Sequence, residues 1–134
     1  MTKSADWLPQ ALLGGLVALA VIAGWVTVGG LEAGRTERRD KVRLGDLRKL
    51  SEFVRCVGHA ESRKLPETLE PHPTCTGEAR LADPYTDEPY TYRKTSFSTF
   101  QLCAVFEAPE AMAYTYVANG NFDPNTGCAT VTYR

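Results

Sequence analysis

Four cysteines, Cys56, Cys75, Cys103 and Cys128, carry the most direct chemistry in this 134-residue chain. Zinc needs thiolates and imidazoles at short, clustered spacings. Here the gaps are wide and no CxxC or Cys/His cluster occurs, so a metal site is not expected. An even cysteine count in a small domain instead predicts two disulfides formed in an oxidising compartment. Four cysteines allow three pairings, and the pairing expected is Cys56–Cys75 with Cys103–Cys128. The first ties a helix to the loop after it, and the second ties adjacent strands late in the chain. Each is expected to stabilise by about 2–4 kcal/mol.

The other reactive types do not assemble into a reaction centre. His59 falls on a predicted helix and His72 between Pro71 and Pro73. With the thiols committed to disulfides, no Ser/His/Asp or Cys/His arrangement emerges. No phosphate-cradling glycine loop or haem CxxCH is present. Neither catalysis nor a cofactor is expected. Asp83, Asp87, Glu88, Asp123 and Asn125 offer oxygens of the kind calcium takes in sets of six to eight. Yet Asp83-Pro84 and Asn125-Thr126-Gly127 are equally ordinary turn residues, and the turn reading is preferred. Tyr85, Tyr90, Tyr92, Tyr114 and Tyr116, with Tyr133, suit either a partner surface or plain strands.

The element that positions this chemistry is an uncharged run from Trp7 to Leu31. As a helix rising about 1.5 Å per residue, it is long enough to cross a hydrocarbon core of roughly 30 Å. Trp7 and Trp25 sit near its ends, where amphipathic rings favour the membrane interface. A cleaved signal peptide has a shorter apolar region, of about 7–15 residues, followed by a small-x-small site. No such site follows Gly29 and Gly30, so an uncleaved anchor is expected. Ala11 and Gly15, Gly14 and Ala18, and Ala20 and Gly24 are each four apart. This spacing either lets another helix approach closely or reflects the ordinary composition of membrane helices.

The formal charge of −1 points to no nucleic acid partner. Residues 32–59 carry eight Lys or Arg and five Asp or Glu, whereas residues 60–134 carry six and ten. The basic stretch reads either as a surface for anionic headgroups or an acidic partner, or as a solvated helix laced with ion pairs. Interleaving of the two signs favours the ion pairs. Seven Lys or Arg lie between 35 and 49 and only Lys3 precedes the span. The positive-inside rule therefore places the C-terminal part in the cytoplasm. The cysteines point outward, and this second argument is preferred.

Four segments are expected: a short tail 1–6, a transmembrane helix 7–31, an amphipathic helix 32–64, and a disulfide-stapled loop and β domain 65–134. Leu44, Leu47, Leu50, Val54 and Val57 form one apolar stripe, with charged residues on the other faces. The span and this helix read as one rod with a bend at Gly29, Gly30 and Gly34. Pro66 stops the helix, and Pro71 and Pro73 keep the next stretch irregular. Strands are predicted from Tyr90 to Thr95, Thr99 to Glu107 and Cys128 to Tyr133. Ala113–Val117 reads as a further strand or a loop edge. Asn119 to Gly127 reads as a turn. The fold class is α+β: a long helix on an antiparallel sheet of three to four strands.

Specific blocks stand out in this order. Arg35, Asp40, Arg43, Asp46 and Leu47 lie on the helix. Leu65-Pro66-Glu67-Thr68-Leu69, Asp83 to Tyr92 (DPYTDEPYTY) and Gln101-Leu102-Cys103-Ala104-Val105-Phe106 follow, then Pro124-Asn-Thr-Gly127-Cys128. Over roughly residues 35–128 they resemble a group of bacterial single-span proteins whose ectodomains look like type II secretion pseudopilins. The resemblance implies a pilin-like helix on a sheet, held outside the cytoplasm, and no particular reaction. Pseudopilin domains often hold a calcium ion in a late loop, but here the turn reading of Asp123 to Gly127 stays preferred. The chain departs from true pilins, because no Gly-Phe-Thr-like junction precedes the span and no acid lies inside it. Filament assembly is therefore not expected.

The functional expectation is a non-enzymatic accessory subunit of the bacterial inner membrane, with its C-terminal domain in the periplasm. Its partners are membrane lipid and integral subunits of a larger complex, respiratory or photosynthetic. No small-molecule substrate is identified. The alternative is a pseudopilin-like component of secretion or pilus machinery.

Overall fold

The computed structural model describes residues 7–27, 30–113 and 115–133. The chain divides into two compact units, Met1–Arg35 and Thr36–Arg134. The first contains α1 (Trp7–Thr27), built mostly from Leu, Val, Ala and Gly. Its side chains are all exposed among the described residues, and Thr27 Oγ1 bonds back to the carbonyls of Ala23 and Gly24. Among the described residues one helical stretch is long and apolar enough to cross a membrane. The tail 1–6 and the expected bend residue Gly29 lie outside the described residues. Gly30 and Gly34 are helical, within α2 (Gly30–Ala60).

The second unit is α+β. Most of α2 belongs to it, and the helix buries Leu44, Leu47, Leu50, Val54 and Val57 at the expected three-four spacing. It ends at Ala60, earlier than predicted. Ser62 and Arg63 adopt left-handed backbone (φ 57° and 65°), and the Arg63 amide donates to the Gly58 carbonyl at 2.8 Å. This is the six-to-one bond of a helix stop. Pro66 disfavours helical backbone at the residue before it, so the chain leaves extended. Leu65 then turns back into the core.

Five antiparallel strands follow: β1 (Thr91–Lys94), β2 (Thr99–Cys103), β3 (Tyr116–Val117), β4 (Gly120–Asp123) and β5 (Cys128–Thr132), in spatial order β1-β2-β5-β4-β3. Phe100 lies opposite Val131 and Leu102 opposite Ala129, which also faces Phe122. These inward residues meet Leu44, Leu47, Leu50 and Val54 in one core. The outward positions carry Thr99, Gln101, Thr130 and Thr132, as the period of two requires.

Three expectations are corrected here. The sheet has five strands rather than three to four, because β4 arises from Asn119–Gly127, which the sequence presents as a turn. Gly120 permits this strand: a Cβ there would fall 2.0 Å from the Thr130 carbonyl oxygen. Phe122 then points into the core. Second, β2 ends at Cys103; Ala104 and Phe106 pack partly buried against the core beyond it, and a short 3₁₀ turn occupies Pro109–Met112. Third, charged residues do not keep to the open faces of α2. Asp40, Arg43 and Asp46 are buried.

Candidate functional site

The most unusual chemistry in the second unit surrounds Arg43. Its residue is 2% exposed, and its neighbours Asp40 and Asp83 are 0% and 4% exposed. An isolated buried guanidinium is prohibitively costly, so it needs counterions and hydrogen-bond acceptors. Arg43 Nε donates to Asp83 Oδ2 at 2.5 Å. Nη1 donates to Asp40 Oδ1 at 2.7 Å and to Glu107 Oε1 at 2.9 Å. The guanidinium carbon lies 5.9 Å from the centroid of the Tyr85 ring, within cation–π range. Arg39 Nη2 approaches Glu107 Oε2 at 3.1 Å from the rim.

Each carboxylate also holds backbone. Asp40 accepts from the amides of Glu107 (3.0 Å) and Ala108 (2.7 Å), fixing the segment that leads into the 3₁₀ turn. Asp83 Oδ1 accepts from the Tyr85 amide at 2.8 Å, which closes an Asx turn at Asp83-Pro84. That turn sits in a small hairpin: the Asp83 amide donates to the Glu88 carbonyl, the Tyr90 amide donates to Leu81, and Ala82 bridges Pro89. Arg43 therefore joins α2 to two loops that are remote in sequence.

The electrostatics follow from this packing. Burial weakens the hold of Arg43 on its proton, but the bonds to Asp83, Asp40 and Glu107 outweigh it and push the pKa upward. Burial likewise pushes Asp83 up, but the Tyr85 amide and Arg43 overcome it and hold the carboxyl below the usual range. A second pair lies one turn along α2, where the Tyr90 hydroxyl donates to Asp46 Oδ2 at 2.9 Å. Burial and that carboxylate push the Tyr90 phenol upward. Tyr92 donates to the Pro66 carbonyl at 2.7 Å, and burial with the Glu67 charge pushes it up to about 12.

The sequence-predicted residues are thus sorted. The disulfides join Cys56 to Cys75 (S–S 2.04 Å) and Cys103 to Cys128 (2.07 Å). Asp83 is the counterion of Arg43 and not an open calcium ligand. Asp123 is spent on its own turn, accepting from the Asn125 amide and the Thr126 hydroxyl; these bonds lower its pKa. Asp87 stands on the exposed hairpin tip with φ 59°. Among the described residues no group of three or more His, Cys, Asp and Glu is placed to hold a metal ion. Tyr90 is 7% exposed and Tyr92 half-buried, because both phenols reach inward to acceptors. Tyr85 and Tyr116 are exposed, and Tyr114 lies outside the described residues. Trp7 and Trp25 are exposed at the two ends of α1. Ala11, Gly14, Gly15, Ala18, Ala20 and Gly24 are exposed along it, and a Cβ at any of the three glycines would meet nothing within 4 Å.

The buried network escaped sequence reasoning as a unit, although one signal was available. Asp40, Arg43 and Asp46 recur every third residue and run in phase with Leu44, Leu47 and Leu50. Charges in phase with an apolar stripe sit on the buried face. Comparison of the chain with family models, curated proteins and solved structures finds no match.

Proposed function

We propose that this chain is a non-enzymatic accessory subunit, anchored by α1 in the bacterial inner membrane and docked on a larger respiratory or photosynthetic complex. Its disulfide-stapled domain braces the periplasmic face of that complex. The observation that carries the reading is α1, whose apolar residues from Trp7 to Val26 are exposed among the described residues. Lipid or a partner helix must cover them. Two disulfides support the periplasmic side. Most of the cations that argue for the opposite orientation are paired with carboxylates. Arg35 pairs with Glu32, Lys41 with Glu37, Arg39 with Glu107, and Arg43 is buried among carboxylates. The strongest ionic interactions join elements to each other, as expected of a bracing domain.

Extraction from native membranes in mild detergent tests the proposal. Co-migration with a larger membrane complex is the expected result. Migration as a lone monomer at every protein level overturns it.

A second reading, a pseudopilin-like secretion or pilus component, draws support from the amphipathic part of α2 laid on an antiparallel sheet. Intact mass separates the two. A processed amino terminus bearing a methylated amine supports the pseudopilin, and an unprocessed chain supports the accessory subunit.

A further inference from the structure

The two disulfides hold very different amounts of structure. Cys103 and Cys128 face each other in the β2–β5 ladder, whose register runs over five residue pairs. The sheet there is zipped by main-chain bonds, and the bridge adds to a contact that already exists. Cys56–Cys75 has no such support. After the local turn in which the Cys75 amide donates to His72, residues 76–80 make no backbone hydrogen bond to any other described segment. The next main-chain tie is Leu81 to Tyr90.

Side-chain anchoring of this strap is equally sparse. Glu78 meets Lys49 at 3.6 Å and Arg80 meets Asp46 at 3.8 Å, with Glu78, Lys49 and Arg80 well exposed. Exposed pairs of this kind hold little. The apolar attachment is a satellite cluster of Phe53, Val57 and Cys75, flanked by half-buried Leu69 and Ala79 and separate from the main core. Cavities of about 410 Å³ and 250 Å³ border the strap, and both are lined by Phe53, Cys75 and Ala79. Cys56 is exposed on α2, whereas Cys75 is buried beneath the strap.

We infer that Cys56–Cys75 is a redox clasp: its reduction releases residues 71–80 from α2 and uncovers Phe53 and Val57, while the helix and sheet keep their structure. The reductant is a dithiol. Its thiolate attacks the exposed Cys56 sulfur, the S–S bond breaks, and Cys75 leaves as a thiolate that takes up a proton. The second thiol of the reductant then resolves the mixed disulfide and frees Cys56 as a thiol. Two electrons and two protons pass to the protein, and the reductant ends as a disulfide. The inference stands whichever partner the membrane helix has.

Stepwise dithiothreitol treatment of the full chain in detergent micelles tests it, with alkylation and mass mapping of the thiols. Three readouts follow: trypsin cleavage after Arg80, hydrogen exchange of 71–80, and hydrogen exchange of β2 and β5. The expected result is that Cys56 and Cys75 are alkylated first and cleavage after Arg80 accelerates by about tenfold or more, with β2 and β5 still protected. Reoxidation reverses it. Cleavage after Arg80 unchanged on reduction overturns the clasp. So does loss of protection throughout the sheet, or prior opening of Cys103–Cys128. The Cys56→Ser/Cys75→Ser double variant should match the reduced protein, and the reduced wild type decides the matter if that variant does not fold.

Discussion

Arg43 and Asp83 are 40 residues apart in sequence and share a hydrogen bond in the interior of the domain. The same guanidinium also bonds Asp40 and Glu107, so one side chain fixes the helix, the hairpin before β1 and the segment after β2. Three acceptors around one fork explain how a charge survives there. They also make the fold depend on it.

Removing that fork should therefore be severe. Arg43→Met leaves Asp40 and Asp83 buried without their cation, a class of change that costs about 3–5 kcal/mol. Arg43→Lys should recover little, because a single ammonium cannot reproduce the planar geometry of the guanidinium. Chemical denaturation of the domain with its disulfides intact checks both variants. A loss below about 1 kcal/mol in Arg43→Met would show that the network is dispensable.

Acid should loosen the domain through Asp83. Its folded pKa is depressed, so its contribution is fully present above the unfolded value of about 3.9 and is lost as pH falls through the folded value. The denaturation midpoint should hold from neutral pH to about 5 and decline below about 4. Asp83→Asn should flatten that decline while lowering stability at pH 7. An equal acid slope in the variant would assign the effect elsewhere.

Two glycines should respond in opposite directions. Gly45 lies inside α2, where an added Cβ meets nothing within 4 Å. Gly45→Ala should raise stability by about 0.5–1 kcal/mol through helix propensity. Gly120→Ala drives a methyl into the Thr130 carbonyl and should lower stability by about 1–3 kcal/mol or more, displacing β4. Thermal melts of the pair, read at one pH, provide the comparison.

Phenol titration followed by ultraviolet absorbance should reveal a late component. Tyr92 is pushed up to about 12 by burial and by Glu67, and Tyr90 also moves upward. Raised phenol pKa values stabilise the fold below about 10, and that stability is lost as pH rises through the folded values. Tyr92→Phe should remove amplitude from the late phase. Late amplitude equal to that of the wild type would contradict the burial of this ring.

Local pattern alone determined the apolar helix α1, the amphipathic α2, the strands around Phe100–Leu102 and Ala129–Val131, and the need for staples. Each of these is written in a period or a run: an uncharged stretch of membrane length, a three-four stripe, an alternation of two. Tertiary structure decided what local pattern leaves ambiguous. Gly120 to Asp123 has turn chemistry, and only pairing with β3 and β5 makes it a strand. Tyr90 and Tyr92 are strand-type residues in any context, and only the positions of Asp46 and the Pro66 carbonyl turned them inward. Asp83 is an ordinary turn former until Arg43 arrives from 40 residues away. The physical reason is the same throughout. Backbone periodicity is set by neighbours in the chain, whereas the fate of a charge or a phenol is set by whichever groups folding brings beside it in low dielectric.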